Sequence, residues 1–251
     1  MQRMKQKIID NLFGLWKHIG EKGKILHVTD DYLFVRSKNN SWPSIVFELK
    51  NEEDMFKNLH HEIENQTLPN SISIFEDKAL ETALLENKFM LKSTVKGMYL
   101  NLIEKPKSNH DFDSIYKVDN EQRATEFARI ASKSFGYEIL DSTITPLINS
   151  SSLKLFIGKH NDHYVSCGML LLDSDNISGI HMIGTTPEYR GLGLGKTMTH
   201  KLLLEAFENK SDMVVLVASE AGERIYSKLG FISDGSLKSF RIKDKVELQQ
   251  S

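Results

Sequence analysis

The chain has 251 residues, 40% of them apolar and 26% charged, with 32 basic against 34 acidic side chains and a formal net charge of −2. That length builds a substantial core, as one large domain or two modest ones, without disulfides, and the balanced charge excludes a general electrostatic field for nucleic acid. The longest apolar runs, residues 167–172 and 213–218, are six residues each against the ~20 that a bilayer span needs, which excludes a membrane helix. A single cysteine, Cys167, allows neither an internal disulfide nor a thiolate zinc cluster, so a reducing, cytoplasmic setting is expected. The basic N-terminus has scattered apolar residues and no small-residue cleavage site, so no secretory signal is expected.

Met4, Ile8, Leu12, Trp16 and Ile19 recur at steps of four, four, four and three, which predicts an amphipathic helix over residues 4–19. Asp10 and Gly14 favour packing on a core over lying on a membrane. Strands are predicted at 24–28, 32–36 and 44–49, a helix at 52–63, a strand at 72–75, a helix at 78–87 and a strand at 97–103. Residues 104–113 are polar, contain Pro106 and lack an apolar period, so they read as a linker between domains 1–105 and 112–251. Beyond it come a strand at 115–118 and a helix capped by Asp119 or Asn120 and stopped by Gly136. A helix at 140–148 contains Pro146, and strands follow at 153–158, 164–172 and 177–185. A helix at 194–208, a strand at 213–218 that reads as buried on both faces, a short helix at 221–229 and a strand at 236–242 complete the chain. At an offset of 142 residues Phe89 falls on Phe231, Val95 on Leu237, Met98 on Phe240 and Leu100 on Ile242. We read this as a sign that the first half is a decayed copy of the second.

Three of the 15 glycines fall within five positions, in Arg190-Gly191-Leu192-Gly193-Leu194-Gly195-Lys196, between a predicted strand and a predicted helix. Free N–H groups and the positive end of the helix dipole favour an anion there, and glycine lets it approach the backbone. Arg190 and Lys196 flank the turn with positive charge. A P-loop needs glycine where Arg190 stands, and a dinucleotide fingerprint needs glycine or alanine where Lys196 stands, so neither nucleotide pattern is met.

The run Pro187-Glu188-Tyr189-Arg190-Gly191-Leu192-Gly193-Leu194-Gly195 resembles the acyl-CoA pyrophosphate loop of the GNAT superfamily of N-acetyltransferases, Arg/Gln-x-x-Gly-x-Gly/Ala. Ser219-Glu220-Ala221-Gly222, then Ile225-Tyr226 and Lys228-Leu229-Gly230-Phe231, resemble that family's second conserved block, which glycine N-acyltransferase-like members share. The resemblance covers residues 112–243. It implies an α/β fold with a mixed sheet, in two GNAT-like lobes. The first half lacks the loop and has Leu84 in the place of Tyr226, so it resembles the degenerate N-terminal lobe of two-lobed members.

By that resemblance the chain is expected to be an acetyl-CoA-dependent N-acetyltransferase, passing acetyl from the CoA sulfur directly to a primary amine of a small molecule, amino acid or peptide. The alternatives are a non-catalytic CoA-binding or regulatory module and an N-acyltransferase using a longer acyl-CoA. The resemblance also implies that strands 177–185 and 213–218 splay apart. Ile183 and Thr185 would hold the pantetheine arm, an N–H near Met182 or Ile183 would act as oxyanion donor, and Ser219 would be a further CoA contact. Arg190, Gly191, Leu192, Gly193, Leu194, Gly195 and Lys196 would hold the pyrophosphate. Tyr226 takes the place of the general acid that donates to the departing sulfur. The candidate base is His181, nine residues before Arg190 and read as sharing a strand face with Ile183 and Thr185. Arylalkylamine N-acetyltransferases carry a strand histidine at that spacing, and an ordinary pKa near ~6.5 suits a proton relay. Glu220 is a second candidate base.

No metal is expected: His60-His61-Glu62 are adjacent on a helix and face different directions, and His-Glu-x-x-His is absent. Cys167 reads as a small buried side chain and the dispersed Lys and Arg predict no nucleic-acid surface. The acceptor amine and the oligomeric state are open at this stage.

Overall fold

In the computed structural model, which describes residues 2–107 and 111–243, the predicted periodicities become seven α-helices and eleven strands. The first half runs α1 (Gln2–Gly23), β1 (Leu26–Val28), β2 (Leu33–Arg36), β3 (Ser44–Phe47), α2 (Glu53–Glu64), β4 (Ile72–Phe75), α3 (Lys78–Glu86) and β5 (Met90–Asn101). The second runs β6 (Ile115–Lys117), α4 (Glu121–Phe135), α5 (Asp141–Ile144), β7 (Leu153–His160), β8 (His163–Leu172), β9 (Ile177–Thr185), α6 (Leu194–Glu208), β10 (Met213–Ala218), α7 (Glu220–Lys228) and β11 (Ile232–Arg241). Helix starts follow side-chain caps: Asp77 accepts from the N–H groups of Ala79 and Leu80, Asn120 from Arg123 and Ser219 from Gly222.

Helix α1 runs to Gly23 rather than 19 and β11 begins at Ile232 rather than 236, and two elements differ more from the sequence reading. Strand β5 begins at Met90, not at 97, because the polar run Lys92-Ser93-Thr94 is held in place by pairing with β11 rather than by an apolar face. The helix expected over 140–148 is one α-helical turn followed by a 3-10 turn at Thr145–Leu147, since Pro146 has no N–H with which to continue the α ladder.

All eleven strands form one sheet, in the order β1-β2-β3-β4-β11-β5-β10-β9-β8-β7-β6. With the edge strand β6 set aside and β1 to β5 matched with β7 to β11 in chain order, the sheet reads the same from both sides: β1-β2-β3-β4-β11 inward from one end, β7-β8-β9-β10-β5 inward from the other. Each half therefore gives its last strand to the other half, and residues 104–113 mark no division of the sheet. Leu237 pairs directly with Val95, while Ser236 pairs with Lys96 and Lys238 with Thr94. Shifting residue numbers by 142 maps the Leu237–Val95 pair onto itself and exchanges the other two.

Helices cover both faces. On one, Ile8 of α1 packs on Ile177, Met213 and Val215, and Leu15 and Ile19 join Phe127 and Ile130 of α4 over Leu155 and Met169. On the other, Met198, Leu202 and Ala206 of α6 pack on Leu170, Ile180 and Leu216. In the first half, Phe56 and Leu59 of α2 and Leu80 and Leu84 of α3 cover Ile72, Ile74 and Phe240. Each such buried Leu, Ile, Val, Phe or Met side chain contributes about 1.5 to 3 kcal/mol. Among the described residues no helix is long and apolar enough to cross a membrane.

Candidate active site

The two central parallel strands part company. β10 pairs with β9 only over Met213–Ile177, Val214–Ser178 and Val215–Gly179. Beyond that point β9 continues to Thr185 and β10 to Ala218 without pairing, while β10 stays in register with β5 as far as Ala218–Lys96. The gap thus opens on the β9 side and leaves backbone groups of both strands free of each other.

A bulge sits beside the gap. Cys167 of β8 lies opposite Gly184 and Met169 opposite His181, so two residues of β9 face Gly168 alone. Met182 takes φ +52° there, and Cys167 Sγ donates to its carbonyl at 3.4 Å. The bulge breaks the alternation of β9. Ile183 packs with the α6 cluster and Met182 with the α4 cluster. A Cβ at Gly195 would stand 3.6 Å from Thr185 Oγ1 and 3.8 Å from Ile183, so both of these residues face the glycine loop.

Consequently the expectation that His181 shares their face is corrected. His181 lies on the α1 side, 6% exposed, with Nε2 2.9 Å from Asn11 Oδ1. A Cβ at Gly179 would collide with both of those atoms, so the closeness of α1 to β9 depends on that glycine. Burial pushes the imidazole pKa down to about 3. A ring that is enclosed, hydrogen-bonded and that weakly basic is not placed to relay a substrate proton. Cys167 is fully buried with its thiol pushed up to about 12 by desolvation, as suits a packing side chain.

The glycine loop is built as an anion cradle. Gly191 and Gly193 take φ +83° and +78°, a region where other residues are strained, and Gly193 is the N-cap of α6. A glycine cap has no side chain to satisfy the first-turn N–H groups of Leu194, Gly195 and Lys196, which point outward at the positive end of a 15-residue helix. They face a cavity of about 620 Å³ lined by Thr185, Tyr189, the loop, Lys196 and the outer face of α7. Among the described residues four cations line it, Arg190, Lys196, Arg224 and Lys228, and no carboxylate does. Arg190 braces the loop itself: its Nη2 donates to Ser134 O at 2.8 Å and its Nε to Thr185 O at 3.4 Å, tying the loop to the end of α4. Uncapped amides and cations together fit an anion such as a diphosphate.

Tyr226 lies on the inner face of α7. Its ring packs edge-on to Phe231 at 5.7 Å between centroids, and its phenol has the Thr199 hydroxyl as hydrogen-bonding neighbour. Desolvation pushes its pKa up to about 12, so the phenol is a proton donor throughout the neutral range. Arg224, Ile225, Lys228 and Leu229 of the same helix line the cavity, and Tyr226 sits beneath them. Ser219 caps α7, and Glu220 is paired with Arg224 at 3.1 Å on the exposed surface. Thus the structure gathers Ile183, Thr185, the loop, Lys196 and α7 on one face, and sends His181 to the other. The sequence reading missed Asn11, Ser134 and Thr199. Asn11 alone carried a signal, a polar residue inside the apolar stripe of α1.

Residues 117–231, which contain the loop and Tyr226, match the sequence model of the Acetyltransferase (GNAT) family. No curated protein sequence matches the chain. Solved structures similar in fold include a GCN5-related N-acetyltransferase from Kribbella flavida, 14% identical, covering 89% of this chain and 91% of that one with a TM-score of 0.65. A GCN5-related N-acetyltransferase from Sphaerobacter thermophilus is 12% identical over 90% and 84% of the two chains, TM-score 0.60. An acetyltransferase of the GNAT family from Colwellia psychrerythraea is 15% identical over 95% and 96%, TM-score 0.52. The likeness in fold spans both halves, and the sequence match lies in the half with the glycine loop: this chain has the GNAT acetyltransferase fold, with the family's signature in residues 117–231.

Proposed function

We propose that this protein transfers an acetyl group from acetyl-CoA to a primary amine, with no covalent enzyme intermediate. The observation that carries the reading is the end of β9–β10 pairing at Gly179–Val215, from which β9 runs on apart from β10 to Thr185, and Thr185 lines a cavity with four cations and an uncapped helix start. The loop amides and Lys196 hold the diphosphate, and Ile183 and Thr185 hold the pantetheine arm in the gap, with the thioester beside the bulge. As the C–N bond forms and the C–S bond breaks, a backbone N–H near Met182 or Ile183 stabilises the carbonyl oxygen, and the Tyr226 phenol donates to the departing sulfur. An alkylamine with a pKa near ~10.4 must first lose a proton, at a cost of about 4 to 5 kcal/mol at pH 7. His181 is not the group that takes it.

In the same reading the first half is a decayed copy that has lost its site. The two-way sheet order and the Val95–Leu237 pair support it. At the position matching the glycine loop, the start of α2 carries Glu52 and Asp54, whose carboxylates repel a diphosphate.

The test is CoA release from acetyl-CoA with a panel of amines, amino acids and peptides, alongside calorimetry with CoA. Binding together with turnover supports the enzyme. Binding without turnover on any acceptor replaces it with a CoA-binding regulatory module, and turnover only with longer acyl-CoA esters replaces the acetyl donor.

A further inference from the structure

A second cavity, of about 610 Å³, lies where the two halves meet. Its floor is the centre of the sheet, with Ser93 and Val95 of β5 beside Leu237 and Ser239 of β11. Trp16 of α1 walls one side, and the loops around Trp42 and Tyr137 wall another. Those two loops come from different halves and are tied together: Trp42 N donates to Glu138 O at 2.9 Å, and Trp42 bridges Ile139.

This cleft opens on the face opposite the glycine loop. Trp16, Val95, Leu237 and Val217 share one apolar cluster, whereas Leu216 and Ala218 of the same strand pack toward α6. The cleft also begins where β10 ends: Ala218 pairs with Lys96, and Val95 is the next residue of β5. Only β10 separates this floor from the gap between β9 and β10, on the face opposite the glycine loop.

Two charges line the cleft, and neither is held in an ion pair among the described residues. Glu138 is exposed in the loop after α4, next to the Tyr137 ring. Lys92 is placed by a bulge: Ser93 faces Ser239 and Leu91 faces Phe240, so Lys92 is the extra residue, and the break in alternation turns it toward the cleft that Ser93 lines. From Lys96 to Lys92 is four residues, ~13 Å along the strand. The lining also holds the neutral polar side chains of Asn39, Asn40 and Ser71.

Resting on the acetyltransferase reading, we propose that this cleft binds a short peptide, about three residues long, and presents its amino terminus for acylation. The ammonium end meets Glu138 and the Trp42 and Tyr137 rings, and the terminal carboxylate meets Lys92. The length decides between acceptor classes. The gap lies beyond β10, so the span to Lys92 is ~13 Å along β5 and, at right angles, about 5 Å across one strand, ~14 Å in all. A free α-amino acid cannot cover it, a monoamine leaves Lys92 unmatched, and three residues at ~3.3 to 3.6 Å each cover about 10 Å, with the lysine side chain supplying the rest.

The test uses Ala-Phe-Ala, its C-terminal amide, free phenylalanine and phenethylamine as acceptors with the full-length protein, and calorimetry of the two peptides against the CoA-loaded protein. The tripeptide acid is expected to have the highest kcat/KM, about five- to tenfold above its amide. Lys92→Met is expected to bring acid and amide level, and Glu138→Gln to raise the KM of the tripeptide. Turnover with phenethylamine equal to that with the tripeptide, or an acid-to-amide ratio unmoved by Lys92→Met, overturns the peptide proposal and leaves the acetyltransferase reading standing. Lys92-dependent peptide binding without any turnover does the reverse.

Discussion

Asn11 and His181 are 170 residues apart and meet inside the protein, Oδ1 to Nε2 at 2.9 Å. With Asn11 Oδ1 as acceptor, Nε2 is the nitrogen that carries the proton. The same asparagine donates through Nδ2 to Asp173 Oδ2 at 3.1 Å, and Asp173 Oδ1 accepts from the N–H groups of Asp175 and Ile177 at 2.9 Å each. A helix from the first half thereby fixes both the turn that starts β9 and the strand face behind the bulge. The histidine that the sequence offered as a base is part of this brace.

The brace carries a pH signature. Burial holds His181 neutral down to about pH 3, whereas in the unfolded chain it takes a proton near pH 6.5. Below pH 6.5 the unfolded state therefore binds more protons, and stability falls as pH falls toward 3. Two units below the unfolded pKa, at pH 4.5, this amounts to about 2 to 3 kcal/mol. Urea unfolding of wild type and His181→Gln at pH 7 and 4.5 reads it. Wild type is expected to lose more stability on acidification than the variant by roughly that amount, and equal losses would remove His181 as the source.

Gly193 and Gly136 make a matched pair for the anion cradle. Both have φ between +75° and +78°, and nothing stands within 4 Å of a Cβ at either. Alanine at each is expected to cost about 1 kcal/mol through backbone strain alone. Only Gly193 opens the first turn of α6 onto the cavity. Gly193→Ala is expected to weaken CoA binding tenfold or more by calorimetry, while Gly136→Ala matches its loss of stability and keeps wild-type affinity. Equal affinities in the two variants would detach the loop from the diphosphate.

Tyr226→Phe removes one hydroxyl from a ring that stays packed on Phe231. If the phenol donates to sulfur, kcat falls by about 10² to 10⁴ with little change in the KM for acetyl-CoA. Because its pKa is pushed up to about 12, Tyr226 gives no alkaline limb below pH 10 in the wild-type rate profile. A limb near pH 8 to 9 that vanishes in the phenylalanine variant would contradict that burial, and an unchanged kcat would remove Tyr226 from the chemistry.

Much of this was legible in the sequence, for reasons that also mark where legibility ends. The loop and α6 were found because glycines at 191, 193 and 195 and an apolar stripe at Met198, Leu202 and Ala206 are local signals. The range of β9 was right, yet the face of His181 was not, because alternation assumes an unbroken strand and the bulge at Met182 exchanges faces. Strand β5 was read seven residues short, since Lys92, Ser93 and Thr94 are held by a partner strand from the far end of the chain. The linker at 104–113 was visible as polar chain, but the strand exchange that spans it leaves no mark in local periodicity.

That exchange gives the sharpest test of how the halves depend on each other. β11 lies between β4 and β5, pairing with Phe75 through Leu237 and with Val95 through the same residue, and its Phe240 is fully buried among Leu59, Ile72 and Leu84. Residues 1–105 alone lose that strand and the cover over their core. Residues 112–251 alone lose β5 along the whole length of β10, together with Leu15 and Ile19 of α1 over Phe127. Each fragment by itself is therefore expected to lack a cooperative thermal transition, while the two co-expressed are expected to purify together and unfold in one transition. A residue 112–251 fragment that unfolds cooperatively alone and binds CoA with wild-type affinity would show that the loaned strand and α1 are dispensable. The central Val95–Leu237 pair would then join two self-sufficient lobes rather than complete either one.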